Sequence, residues 1–402
     1  MISDFNEIMS LNVKGMKKSA IRELLKLTNN PDIISFAGGL PDPKTFPVEE
    51  LKEVVVEVLD EDSDKALQYG STEGDKRLRE IIVENYRSQG FDIQLENVMI
   101  TTASQQGLDL LAKIFIDRGD KVIVGLPSYL GGLSAFNAYG AVPVGIEFDD
   151  HGMIAEKLEE ALAKMKANGE KPKFIYIIPD FQNPAGLTMP EERRKKVIEI
   201  AKRYDVLIIE DSPYKELRFE GEEQKSLYAL DNTGHVITMG TFSKIFVPGF
   251  RVGWIIAHPE ITDKFVTAKQ SADLCTSPFV QKIAAKYIDK GYYKKNLVKT
   301  IAIYKEKKEA MMAAFDKYMP EGVTWTKPEG GLFLFVTLPE YMDAEKLFVK
   351  AIEEKVAFVT GNVFHCNGEG RNTMRINFSY MDKESNLEGV KRLAKVIKAE
   401  MK

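Results

Sequence analysis

The sequence predicts an α/β protein, with a large domain built on a mostly parallel sheet flanked by helices and a smaller α+β domain after it. Two observations carry this. Short apolar runs rich in β-branched residues recur without polar alternation at 121–126, 174–178, 206–210, 236–240 and 252–257, the pattern of strands buried on both faces. Helix-like segments lie between several of them, among them 105–116 and 190–204, the second opening on a proline and two glutamates as helix starts do. Strands alternating with helices imply a parallel sheet with covered faces, and such sheets bind ligands at the carboxyl ends of their strands. After about residue 285 the pattern changes to a long charged helix, 294–318, then apolar runs at 332–338, 357–359 and 374–379. A final helix, 382–401, places Leu387, Val390, Leu393 and Ile397 on one face. The expected division is an amino-terminal segment, 1–45, that joins the small domain and the substrate site, a large ligand-binding domain, 46–285, and a small carboxy-terminal domain, 286–402.

At 402 residues the chain is long enough for one large and one smaller core. Its 44% hydrophobic and 29% charged residues are the balance of a soluble globular protein. The net charge of -5 argues against a nucleic-acid surface, and the basic run Arg193-Arg194-Lys195-Lys196 reads as the solvated face of a helix. Cys275 and Cys366 are the only cysteines, too few for a disulfide framework or a cysteine zinc site, and they fit a reducing compartment. The amino terminus lacks a signal-peptide pattern and no apolar run reaches membrane-spanning length, so the expectation is a cytoplasmic protein with no membrane partner. His151, His235, His258 and His365 show no ligand spacing, which predicts no metal site.

The most informative stretch is 240–254, Gly-Thr-Phe-Ser-Lys-Ile-Phe-Val-Pro-Gly-Phe-Arg-Val-Gly-Trp. A lysine that forms an imine needs its amine unprotonated near neutral pH, and a fixed cation or a dry pocket lowers its pKa in that direction. Lys244 beside Arg251 offers this arrangement. Thr241, Ser243 and Arg251 together suit a phosphate, the hydroxyls by hydrogen bonds and the guanidinium by a bidentate contact. An imine-forming lysine next to a phosphate cradle meets the needs of one cofactor, pyridoxal 5'-phosphate.

That cofactor draws electrons from a substrate carbanion best when its ring nitrogen stays protonated, which calls for a buried carboxylate. Asp211 directly follows a buried run and is the candidate; Glu210 competes, but alternation along the strand points it to the opposite side. Tyr214 and Asn183 are placed to hydrogen-bond the ring's phenolic oxygen. Residues 101–107 open a helix whose amino terminus is a natural anion site, where Ser104 and the Gln105 amide fit the phosphate. Tyr129, after the 121–126 run, is placed to cover the ring. Arg375 alternates with apolar neighbours in a strand-like run, where an inward guanidinium needs an anionic partner such as an amino acid's α-carboxylate.

With these residues assembled, the chain resembles the class I aminotransferases of pyridoxal-phosphate fold type I, the aspartate-aminotransferase-like fold, over nearly its whole length. It is most similar to the branch that contains 2-aminoadipate aminotransferase and kynurenine aminotransferase II. The matching stretches are Ser35-Phe-Ala-Gly-Gly-Leu-Pro-Asp-Pro, Leu67-Gln-Tyr-Gly, Ala103-Ser-Gln-Gln-Gly, Asn183-Pro, Asp211-Ser-Pro-Tyr, Thr241-Phe-Ser-Lys and Arg375-Ile-Asn-Phe. The resemblance implies that Lys244 forms the imine and shuttles the proton, Asp211 pairs with the ring nitrogen, and Asn183 and Tyr214 meet the phenolic oxygen. It further implies that Ser104, Gln105, Ser243 and Arg251 hold the phosphate, Tyr129 stacks on the ring and Arg375 binds the substrate carboxylate. Tyr69 matches a tyrosine that reaches the phosphate from the neighbouring subunit, implying a homodimer with shared active sites. Thr241 stands where relatives often have serine.

Arg22 and the loop containing Gly38 and Gly39 lie where that branch contacts the substrate side chain. Arg22 turned inward would pair with a second carboxylate, and turned outward would admit an apolar side chain. The implied reaction passes the amino group of an L-amino acid (2-aminoadipate, glutamate, aromatic or branched-chain) to a 2-oxo acid such as 2-oxoglutarate by a ping-pong route. A pyridoxal-phosphate lyase or decarboxylase, and the aminotransferase-like effector domain of a regulator, are the alternatives.

Overall fold

A computed structural model describes residues 4–16, 18, 30–231 and 233–401. After a short strand β1 (Ile34–Ser35), eight strands build the large sheet: β2 (Val98–Thr101), β3 (Lys121–Leu126), β4 (Val142–Asp149), β5 (Gly152–Met153), β6 (Phe174–Ile177), β7 (Leu207–Asp211), β8 (Val236–Thr241) and β9 (Gly253–Ile256). Their order across the sheet is β2-β9-β8-β7-β6-β3-β4-β5. Strands β8, β7, β6, β3 and β4 are parallel neighbours, while β9 lies antiparallel between β2 and β8 and so leaves β2 pointing the same way as β8. Helices cover both faces: along β6, Phe174 and Tyr176 pack into one apolar cluster and Ile175 and Ile177 into the other, which is why this strand reads as an unbroken apolar run.

The smaller sheet is antiparallel, in the order β10 (Thr324–Trp325), β11 (Phe333–Thr337), β14 (Thr373–Asn377), β13 (Val359–Thr360), and the remaining strand, β12 (Val356–Ala357), pairs in parallel with β1. The long helix Tyr292–Tyr318 and the last helix, Lys383–Glu400, pack on this part of the chain.

Several details depart from the sequence reading. The run at 357–359 is not one strand: Phe358, fully buried, is the crossing point between β12 and β13, which belong to different sheets. Strand β7 starts one residue later than expected because the preceding helix ends in a left-handed Asp205 and the Val206 amide still bonds back to Ala201. Leu387 is 44% exposed and stands off the apolar face formed by Val390, Leu393 and Ile397. Arg194 is a clearer correction. It is wholly buried and paired with Asp180, so the basic run is not a uniformly solvated face. Among the described residues no helix is long and apolar enough to cross a membrane.

Candidate active site

The carboxyl ends of five strands deliver polar groups to one rim. The helix Ala103–Phe115 begins just beyond β2, Tyr129 follows β3, Asn183 follows β6, Asp211 ends β7 with Tyr214 close behind, and Lys244 lies three residues past the end of β8. A cleft of about 190 Å³ there is lined by Ser104, Tyr129, Asp211, Tyr214, Lys244 and Arg251 among others. Arg375 comes from β14 of the small sheet.

Lys244 is half-buried in the turn after β8, and its Nζ donates to the carbonyl of Gly39 at 2.8 Å. Burial, then the cations Arg375 and Arg251, lower its pKa to about 8. The amine is thereby shifted toward the nucleophilic, unprotonated form.

Asp211 is buried, and its Oδ2 accepts a hydrogen bond from the Tyr176 hydroxyl at 2.7 Å, while Oδ1 bonds to no described group. Burial raises its pKa to about 6, against the downward pull of the Tyr176 hydrogen bond. Glu210 points to the other side of the strand. There its carboxylate accepts from the Ser226 hydroxyl at 2.6 Å and from the Leu227 and Tyr228 amides at 3.0 and 3.1 Å, fixing the start of the helix Leu227–Leu230.

Arg375 is 1% exposed, yet it meets no carboxylate among the described residues. Its Nη2 donates to the Ala37 carbonyl at 2.8 Å and its Nη1 to Asn183 Oδ1 at 2.9 Å, with Nε left unpaired. Its guanidinium lies 4.2 Å from the centre of the Phe333 ring and 5.1 Å from that of Phe364. Burial lowers its pKa to about 10. Because Arg375 takes the Asn183 oxygen, the amide nitrogen is turned to donate to the Tyr214 hydroxyl, at 3.1 Å. Tyr214 accepts there and keeps its own proton for another acceptor; burial holds its pKa well above the usual phenol value.

The anion cradle uses strained backbone. Ala103 and Arg251 adopt left-handed conformations, with φ of 60° and 54°, which cost non-glycine residues energy. The helix Ala103–Phe115 has no side-chain cap, leaving its first amides free for an anion, and Ser104 Oγ is buried without a partner. Gly253 permits this approach: a Cβ on it would lie 2.8 Å from Ala103 C and Ser104 N. Arg251 Nη1 lies 3.3 Å from Ser243 Oγ. The Thr241 hydroxyl is engaged within the turn, 3.0 Å from the Val252 carbonyl and accepting from the Ser243 amide at 3.1 Å. Gln105 donates to the Gly131 carbonyl at 3.0 Å and meets the Tyr129 hydroxyl at 3.5 Å.

Tyr69 stands apart from this group, 80% exposed on a loop. Arg22 lies outside the described residues. Sequence reasoning missed Tyr176 and Phe333, both inside apolar strands where their neighbours advertise only packing.

A half-buried amine of lowered pKa, an unneutralised carboxylate, an uncapped helix amino terminus and a buried guanidinium without a carboxylate partner among the described residues come together here. The sequence pattern of the aminotransferase class I and II family matches residues 31–393. The chain belongs to that family. It is 49% identical over 401 residues to the aromatic-amino-acid aminotransferase 1 of Thermococcus litoralis, covering 99% of this chain and 96% of that protein. A 2-aminoadipate transaminase of Thermus thermophilus is 41% identical over 397 residues, or 98% of this chain and 97% of that one. Among solved structures, a kynurenine aminotransferase of Pyrococcus horikoshii in complex with PMP superposes with a TM-score of 0.96 at 48% identity, covering 100% of this chain and 99% of that one. The aminotransferase has the aspartate-aminotransferase-like fold and uses pyridoxal phosphate; the lyase, decarboxylase and regulator readings are not favoured. The residues present suit that cofactor, since Ser104 Oγ and Asp211 Oδ1 are buried polar atoms without partners on the rim.

Proposed function

We propose that this aminotransferase moves the amino group of 2-aminoadipate, glutamate, an aromatic or a branched-chain L-amino acid to a 2-oxo acid, foremost 2-oxoglutarate, by a ping-pong route. The observation that carries it is Arg375, a buried guanidinium with an unpaired Nε and no carboxylate partner among the described residues. An amino acid's α-carboxylate supplies the missing counter-charge. The breadth of donors is supported by relatives described as acting on aromatic amino acids, 2-aminoadipate and kynurenine.

When bound, pyridoxal phosphate supplies an aldehyde for the amino group and a protonated ring that draws electron density from the substrate's α-carbon. Lys244 would hold the cofactor and, once the incoming amino group has displaced its amine, would take the α-carbon proton on the freed Nζ, for which a pKa of about 8 is near the working range. Asp211 would pair with the ring nitrogen, and Tyr214 and Asn183 would give hydrogen bonds to the phenolic oxygen. Ser104, the Gln105 amide, Ser243 and Arg251 hold the phosphate, with Thr241 bracing their turn. Tyr129 covers the ring, and the Gly39 loop closes the substrate side. Arg22 selects between acidic and apolar side chains.

The assembly we propose is a homodimer with shared active sites, in which Tyr69 reaches the neighbouring phosphate. Its support is the exposed Tyr69 and Leu67 on one loop, which packs so closely on Pro278 that a Cβ on Gly70 would lie 2.9 Å from its ring. The proposed compartment is the cytoplasm, in keeping with two unbridged cysteines. The division into 1–45, 46–285 and 286–402 is supported by the β1–β12 pairing, which joins the first segment to the last.

The test is the visible spectrum of the purified enzyme with 2-aminoadipate, glutamate, phenylalanine or leucine added singly, without oxo acid. A yellow band that bleaches with at least one donor and returns with 2-oxoglutarate is the expected result. A band that no donor moves would reject the proposed substrates.

A further inference from the structure

Asp180 and Asp211 lie at the ends of adjacent parallel strands and are both almost fully buried, at 1% and 2% exposure, yet the chain treats their charges differently. Asp180 is neutralised. Arg194 donates to its two oxygens at 2.7 and 3.3 Å, and Arg218 stands 3.6 Å away. Among the described residues Asp211 receives one hydrogen bond, from the neutral phenol of Tyr176 at 2.7 Å, and its other oxygen has no partner there. A buried carboxylate without a counter-ion is costly, so the missing positive charge belongs to a ligand.

The phenol is held firmly where it is. Tyr176 stands opposite Ile209 in the β6–β7 register, and Asp211, two residues on, shares that face. Phe136 meets the Tyr176 ring edge-on at 5.4 Å between centres, and Gly132 leaves room for it, since a Cβ there would come within 3.1 Å of the ring. A cation in this position would cancel the Asp211 charge. A water would let the carboxylate turn. A fixed neutral donor does neither.

We infer that Tyr176 is a positioning residue, whose hydroxyl holds Asp211 as an oriented carboxylate with its charge available to the protonated ring nitrogen of the cofactor. This rests on the reading that Asp211 meets that nitrogen. The downward pull of the Tyr176 hydrogen bond on the Asp211 pKa agrees with it.

The test titrates the cofactor-free protein, as wild type, Tyr176→Phe and Asp211→Asn, with pyridoxal phosphate and with 1-deazapyridoxal phosphate, which has carbon in place of the ring nitrogen. Tyr176→Phe is expected to bind pyridoxal phosphate roughly tenfold more weakly, as for a lost hydrogen bond to a charged group, and the deaza compound as wild type does. Asp211→Asn is expected to lose at least as much of the preference between the two. Equal weakening toward both ligands in Tyr176→Phe makes the ring a packing element and overturns the inference, as does no weakening toward either. If Tyr176→Phe keeps the preference while Asp211→Asn loses it, only the role of Tyr176 falls. If Asp211→Asn keeps it, the ring-nitrogen reading fails and takes the inference with it.

Discussion

Lys244 and Gly39 are 205 positions apart in sequence, and the lysine Nζ donates directly to the glycine carbonyl at 2.8 Å. The amine is thereby tied to a strap whose Ala37 carbonyl takes Arg375, whose Leu40 carbonyl takes Ser379 and whose Asp42 takes Lys307. On the proposed roles, replacing Lys244 by alanine removes the cofactor anchor and the proton carrier together. Turnover is expected to fall by about 10²–10⁴-fold or more with loss of the covalent chromophore, measured by steady-state kinetics and absorbance. A variant that turned over normally would end the assignment.

Arg375→Met separates function from stability. The value of kcat/KM for amino donors is expected to drop by roughly 10²-fold or more, with a raised KM, because the proposed charged contact with the substrate carboxylate is lost. Arg375→Lys does not restore it, since an ammonium lacks the planar fork. The cofactor-free Met variant is expected to melt no earlier than wild type, because a buried cation without a counter-ion has been removed. Kinetics and thermal melts of the two variants check this.

Asp211 gives a pH signature. Burial raises its folded-state pKa from 3.8 to about 6, so between those values the native state binds more protons than the unfolded state, and this group's contribution to stability falls as pH rises. Above the folded-state pKa the penalty is complete. Cofactor-free Asp211→Asn is therefore expected to be more stable than wild type near pH 8 and to lose that advantage toward about pH 4. Melting curves at both pH values decide, and a constant difference would contradict the burial argument.

Gly253→Ala is expected to weaken pyridoxal phosphate binding by about tenfold or more, because the new methyl group presses on the helix amino terminus, 2.8 Å from Ala103 C and Ser104 N, as well as on the Gly240 carbonyl of β8 at 2.9 Å. Cofactor titration together with far-ultraviolet circular dichroism tests this. Unchanged affinity would mean that the free amides of that helix do not hold the phosphate.

A ladder of charges joins the helices Val48–Ala66 and Pro278–Asp289. Lys282 meets Asp62 and Asp75, Lys286 meets Glu57 and Glu61, and Lys290 meets Glu53 and Glu57. The Lys290 pairs keep partial contact with solvent, Glu53 most of all, so salt screens them. The destabilisation caused by Lys290→Ala is expected to be small at low salt and to vanish near 1 M NaCl, where the screening length is about 3 Å. Melting temperatures across a salt series measure it.

Much of this was legible in the sequence because strands buried on both faces leave uninterrupted apolar runs, and the polar residue after each run marks a strand end. Lys244, Asp211 and Asn183 announce themselves in that way. Tyr176 and Phe333 do not: their work depends on a neighbour brought close by strand register or by the second sheet, and one-dimensional pattern holds neither. The same limit hid the partner of Arg194, since a buried arginine in a basic run looks solvated until Asp180 is placed against it. The split of 357–359 between two sheets was invisible because both strands are short and equally apolar.

The pairing of Ile34 with Val356 and the contact from Arg375 to the Ala37 carbonyl also set an order of events during synthesis. Contacts spanning more than three hundred positions close late, so the large sheet and the Lys244 turn leave the ribosome before residues 34–37 have their partners at Val356 and Arg375. Arg375 can meet the Ala37 carbonyl only when β14, the last of the described strands, has emerged.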